Sequence, residues 1–194
     1  RSDWDQTFAL WQDYLAGDNG EAEYPSLRQR SGIAFIGLNS GCPKPPLMAS
    51  GTVAPEQLEK LPDLLRQCAQ QGLFRVVYLH HCPIPGLEKW RKRLPNASEA
   101  QSIVASQGAE LVLHGHGHRA HIHSIEGPRG EIPVVAVPSA SALGLHGADR
   151  AAYNHYELRS SQTNWQLDIQ ARRYCDDSEK FQAAERRQFQ LRRP

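Results

Sequence analysis

The chain has 194 residues, 40% of them hydrophobic, which suits one globular domain with a buried core. Lysine and arginine number 22 against 21 aspartate and glutamate, a balance without the basic footprint of a nucleic-acid binder. The arginines crowded near the end (Arg186, Arg187, Arg192, Arg193) read as a solvated face or tail. No apolar run approaches the roughly 20 residues that span a bilayer, and Cys42, Cys68, Cys82 and Cys175 form no C-x-x-C pair, which argues against a zinc ribbon and requires no disulfides.

Taken in chain order, Trp4 to Leu15 has apolar residues near the helical period, and Gly17 reads as its stop. Ile33-Ala34-Phe35-Ile36-Gly37-Leu38 is a short apolar run of the kind buried on both faces of a sheet. A Pro- and Gly-rich loop over 41–51 leads to a predicted helix from Pro55 to Gln71, which Pro62 is expected to bend or split. Val76-Val77-Tyr78-Leu79 is a second buried strand running directly into His80. Pro95 to Gln107 is a further helix, and Leu111-Val112-Leu113 is a third strand running into His114-Gly115-His116-Gly117-His118. The alternation of strand and helix points to an α/β layered domain. Beyond His118, His121–Ile125, Ile132–Val137, Tyr153–Leu158 and Trp165–Ala171 read as short strands in a more antiparallel second half, and Cys175–Leu191 as a charged terminal helix. That division gives one domain over 1–174 and a C-terminal helix or tail over 175–194.

Five of the nine histidines stand at the ends of two predicted strands, where ligands gather in open α/β sheets. Imidazole is the commonest protein ligand of transition metals. In extended backbone alternate residues share a face, so His116 and His118 are expected to point into one cleft, with Gly115 and Gly117 admitting an ion or phosphate close to the backbone. Several adjacent imidazoles repel if protonated and lose hydration if buried, and a metal removes both penalties. His121, His123, His146 and His155 are read as ordinary surface or core residues.

Leu79-His80-His81-Cys82-Pro83-Ile84 resembles the histidine motif of calcineurin-like metallophosphoesterases. Leu111-Val112-Leu113-His114-Gly115-His116-Gly117-His118-Arg119 is similar to that family's closing Gly-His-x-His motif with its apolar strand. The strand and small-residue turn from Ile132 to Ala142 are similar to the segment after Gly-His-x-His in many relatives, and the texture resembles the branch containing cyclic-nucleotide phosphodiesterases. The resemblance implies a layered β-sandwich flanked by helices, with the N-terminal part of the fold missing. It implies two divalent transition metal ions (Mn, Fe or Zn) in the intact enzyme. His80 and His116 would ligate one and His118 the other, while His81 would line the site and Arg119 is available to a substrate phosphate. The activity implied is hydrolysis of a small-molecule or nucleotide phosphate ester, and the residues themselves carry no sign of nucleic-acid or membrane binding.

The family's Asp-x-His, Gly-Asp and Gly-Asn-His elements are not found here. Gly17-Asp18-Asn19 has no strand before it, and Asn154-His155 comes after the Gly-His-x-His motif instead of preceding it. The chain therefore reads as the three-histidine half of a two-metal site, poorly active by itself because it lacks the bridging carboxylate. No catalytic residue is assigned. It opens on Arg1 without an initiator methionine, so it reads as a portion of a longer protein, with the cytoplasm as default location. The competing reading is a non-catalytic metal-binding or interaction module that kept the histidines. A metallo-β-lactamase site is disfavoured because Arg119 and Ala120 stand where an aspartate is needed, and an amidohydrolase barrel needs a longer chain.

Overall fold

The structure, a computed structural model, describes residues 10–11, 14–145 and 149–194. The helix expected over 4–15 falls largely outside the described residues, as does His146. In chain order the elements are β1 (Ser26–Arg30), β2 (Ile33–Gly37), α1 (Pro55–Gln70), β3 (Phe74–Tyr78), α2 (Ala97–Gln107), β4 (Leu111–His114), β5 (His121–Gly127), β6 (Gly130–Ala136), β7 (Ala152–Ser160), β8 (Asn164–Cys175) and β9 (Lys180–Arg192). Among the described residues they form an α/β fold with a six-stranded sheet ordered β1-β2-β3-β4-β6-β5 and a three-stranded sheet ordered β7-β8-β9.

β2, β3, β4 and β6 run parallel at the centre, and β1 and β5 are antiparallel edges. The central strands are continuous apolar runs because both faces are covered. On one face Ala34, Ile36, Val77, Val112 and Val134 pack beneath Leu58, Leu61 and Leu65 of α1 and Ala97, Ala100 and Val104 of α2. On the other, Phe74, Val76, Leu111 and Val135 meet Trp165, Leu167, Ile169 and Leu191 of the second sheet. The rings of Phe74 and Trp165 pack edge to face at 5.6 Å, the favourable arrangement for two quadrupoles. The layers are therefore helices, sheet, sheet.

Two expectations are corrected. α1 is one continuous helix with Pro62 inside it, so the proline does not split it. The proline forfeits one backbone bond, but the buried stripe of Leu58, Leu61, Leu65 and Cys68 holds the helix on the sheet regardless. The segment 175–191 is not a terminal helix: it completes a long β8–β9 hairpin. Its charges mask a period of two that a bulge interrupts: Phe189 and Leu191 lie on the face of Leu167 and Trp165, whereas Phe181, paired with Tyr174, lies on the other face. Leu191 is buried in the inter-sheet core.

Candidate metal centre

Parallel pairing sets β3 and β4 side by side in register, Val77 opposite Val112 and Tyr78 opposite Leu113. The ladder continues beyond the strands, with Leu79 N donating to Leu113 O at 3.1 Å and Gly115 N to His80 O at 3.1 Å. Two strand ends locked together this way deliver His80 and His116 to one spot. His116 Nδ1 and His80 Nε2 lie 3.0 Å apart, with ring centroids separated by 4.8 Å.

The backbone route differs from the one expected. His116 (φ 67°) and His118 (φ 55°) are in the left-handed region, so the loop past His114 curls and does not continue as extended chain. Of the two glycines that flank His116, Gly117 makes room for the Glu88 carboxylate, while a Cβ at Gly115 would meet nothing nearer than 4.0 Å. His118 sits beside a cavity of about 660 Å³ shared with Leu87, Glu88, Lys89 and Lys92. It is close enough to lower the proton affinity of both His80 and His116.

Burial comes first among the causes that hold these rings neutral. It drops His116 to about 4, helped by His81, His80 and Lys92. His80 is lowered by burial and then by His118. His81 is lowered mainly by burial, against the hydrogen bond to Ala49, which raises it. Neutral imidazoles are the form that ligates metal.

His81 has no free nitrogen to offer. Its Nε2 donates to Ala49 O at 3.1 Å, so Nδ1 accepts from Ser40 Oγ at 2.8 Å. Its ring centroid is 4.3 Å from that of His116, so it forms a wall of the site. The loop over 41–51 must pass against this ring, and Gly51 permits it: a Cβ there would overlap both the His81 ring and the Ser40 carbonyl. Gly51→Ala is expected to cost about 1–3 kcal/mol and to displace His81, seen as a lower thermal midpoint and shifted imidazole resonances. An unchanged midpoint would show that this loop yields freely.

Whether these residues fit a divalent ion can be tested on geometry. Two imidazole nitrogens bound to one zinc ion at about 2.0–2.1 Å each stand roughly 3 Å apart. The His80–His116 pair comes near that separation through His80 Nε2 and His116 Nδ1, which in the metal-free chain share a hydrogen bond. Among the described residues, however, no group of three or more His, Cys, Asp or Glu side chains is arranged, as it stands, to hold an ion. The pair fits as two ligands of a site that needs further donors. Arg119 lines the same cavity as His118.

Two features escaped the sequence reading. Glu88, in the loop after Pro83, projects over Gly117, so closely that a Cβ on that glycine would collide with its carboxylate. Its position in an irregular loop without a motif left no signal. Asp149 accepts a hydrogen bond from Ala120 N at 2.6 Å through Oδ2 and donates its own N–H to His118 O at 2.8 Å, bracing the histidine loop from outside.

No family model matches this chain, and no curated protein matches it. Among solved structures it is similar to Vps29 from Chaetomium thermophilum, at 11% identity and a TM-score of 0.35 over 61% of this chain and 55% of that one. It is also similar to a Vps29 double mutant from Entamoeba histolytica, at 15% identity and a TM-score of 0.37 over 70% of this chain and 89% of that one. A single mutant of the same Entamoeba histolytica protein gives 12% identity and a TM-score of 0.34 over 79% of this chain and 98% of that one. The chain thus spans 55% of the length of the Chaetomium thermophilum protein. The α/β fold class rests on this chain's own sheets and helices.

Proposed function

We propose that this chain contributes the histidine half of a dinuclear metal centre for phosphate-ester hydrolysis, with His80 and His116 holding one divalent ion and His118 reaching toward a second. The observation that carries this reading is the 3.0 Å juxtaposition of His80 Nε2 and His116 Nδ1 at two adjacent strand ends. A pair of Mn, Fe or Zn ions, when bound, supplies charge stabilisation and activates water.

The chain's own residues do the rest. His80 and His116 stay neutral and accept an ion at the nitrogens they now turn toward each other. Ser40 and Ala49 fix the His81 ring, which keeps His116 in place. Lys89 and Lys92 line the adjoining cavity of about 660 Å³, large enough for a small-molecule or nucleotide phosphate ester, and offer positive charge to its phosphate.

Three imidazoles bring no negative charge to offset two dications, so turnover by this chain alone is expected to be slow. The test is metal content after dialysis for wild type, His116→Ala and His118→Ala, together with hydrolysis of bis(p-nitrophenyl) phosphate. The reading expects bound metal in wild type, loss of one equivalent in His116→Ala and weak turnover. Equal metal content in all three proteins would overturn it. The all-imidazole donor set favours a second reading, a metal-binding or interaction module without turnover, and complete absence of hydrolysis by the metal-loaded protein would select it.

A further inference from the structure

Two loops beside the histidine cavity form one surface. Ala49 N donates to Arg91 O at 2.9 Å and Gly51 N to Arg93 O at 3.2 Å, which ties the loop over 41–51 to the segment after Gly86. Lys92 N and Arg93 N both donate to Lys89 O, closing a tight turn around Trp90. Leu47 and Trp90 line an open cavity of about 550 Å³ that shares Lys89 and Lys92 with the cavity of His118.

This platform displays apolar groups to water. Leu47 is 88% exposed and Trp90 60% exposed, while Leu87 and Leu145, which border the His118 cavity, are exposed as well. Leu47 also has φ 68°, a left-handed backbone that is costly for a bulky side chain. Exposed apolar residues scattered singly are ordinary. Four around two adjoining cavities, one of them held in strained backbone, mark a contact surface.

The surrounding charge says which kind. Lys44, Lys89, Arg91, Lys92 and Arg93 are all exposed. Among the described residues none of the five is in an ion pair. Glu88 is the one carboxylate in the segments 43–49 and 85–93, and it projects over Gly117. The chain as a whole has 22 cations against 21 anions, so it is the fold that concentrates positive charge here. The Arg91 guanidinium lies 5.2 Å from the centre of the Trp90 ring, a cation–π pair. Indole rings favour the boundary between water and lipid, and long basic side chains lay their stems along apolar surface while their charges reach the headgroups. A folded acidic partner would match the charge. Apolar tips that protrude singly leave gaps against a second rigid surface, whereas a fluid one closes around them.

We propose that this platform docks the chain on an anionic lipid surface, with Leu47 and Trp90 entering the headgroup boundary and the five cations facing the lipid charges. The proposal does not depend on phosphate-ester hydrolysis or on bound metal.

The experiment is cosedimentation of the chain with vesicles in EDTA, comparing phosphatidylcholine alone with an equal mixture of phosphatidylcholine and phosphatidylserine. Wild type is expected to bind the mixed vesicles about tenfold or more tightly than the neutral ones, and less tightly as salt is raised. Leu47→Ala/Trp90→Ala and Arg91→Gln/Arg93→Gln should each weaken that binding by about tenfold. All four side chains are exposed, so both variants should keep the wild-type thermal midpoint. Equal sedimentation with the two vesicle types, or with neither, would overturn the proposal whatever the variants do. Wild-type affinity in either variant would overturn it too. Polyglutamate supplies the acidic-protein arm: binding to it as tight as to mixed vesicles, and indifferent to Leu47→Ala/Trp90→Ala, would show that charge alone is read and would remove the lipid assignment.

Discussion

Replacing Glu110 by glutamine is expected to cost about 3–5 kcal/mol of folding stability, read as a lower midpoint in urea denaturation. Arg75 is fully buried and Glu110 is 3% exposed. The carboxylate accepts from Arg75 N at 2.7 Å, Nε at 2.9 Å and Nη2 at 2.7 Å, while Nη1 donates to Gln107 O at 3.1 Å. Arg129 approaches the same carboxylate at 3.4 Å. Glutamine keeps the shape but leaves the guanidinium charge buried without a counter-charge, and that uncompensated charge is what costs so much. The pair ties the start of β3 to the segment between α2 and β4, at the opposite end of the strands from the histidines. The folded fraction of Glu110→Gln should therefore bind metal as wild type does. Glu157→Gln, which breaks an exposed pair with Arg159, serves as the control and should change stability by no more than roughly 1 kcal/mol. Equal effects of the two substitutions would refute the argument.

Acid should weaken the metal-free protein well before its carboxylates titrate. Burial is the main cause that lowers His114 from an ordinary 6.5 to about 4. His114 therefore stays neutral in the folded chain at pH values where the unfolded chain is protonated. The unfolded state binds more protons between those two values, so stability falls as pH drops from 6.5 toward 4. Below about 4 both states carry the proton, and this residue causes no further loss. The shift corresponds to roughly 3 kcal/mol across that window. His80, His81, His116 and His121 are lowered too and act in the same direction. Urea midpoints of the EDTA-treated protein at pH 7.5, 5.5 and 4.5 should fall in that order. A flat profile would show that these rings are hydrated in solution, and His114→Gln should flatten the slope in part.

Much of the fold was legible in chain order. The runs at Ile33, Val76 and Leu111 are strands, and the segments beginning at Pro55 and Pro95 contain the helices, because continuous apolar stretches and helical periodicity report burial directly. β1 was missed: Ser-Leu-Arg-Gln-Arg has one apolar residue and gains its order from pairing with β2. The terminal hairpin was misread since charge dominates a strand whose other face is open to water. At the site, the placing of His80 and His116 near a strand end could be read from the sequence. Their route could not, because His116 and His118 take left-handed dihedrals that no alternation rule anticipates.

The sequence alone determined which segments are buried on both faces, where the strands end, and that His80 and the Gly-His-Gly-His run come directly after two of them. Only the tertiary structure decided which strand ends are neighbours. It set His80 against His116, locked His81 to Ser40 and Ala49, and brought Glu88 over Gly117. The reason is one of range: hydrophobic period and backbone propensity act over a few residues, whereas strand order is chosen by burial summed over the whole sheet.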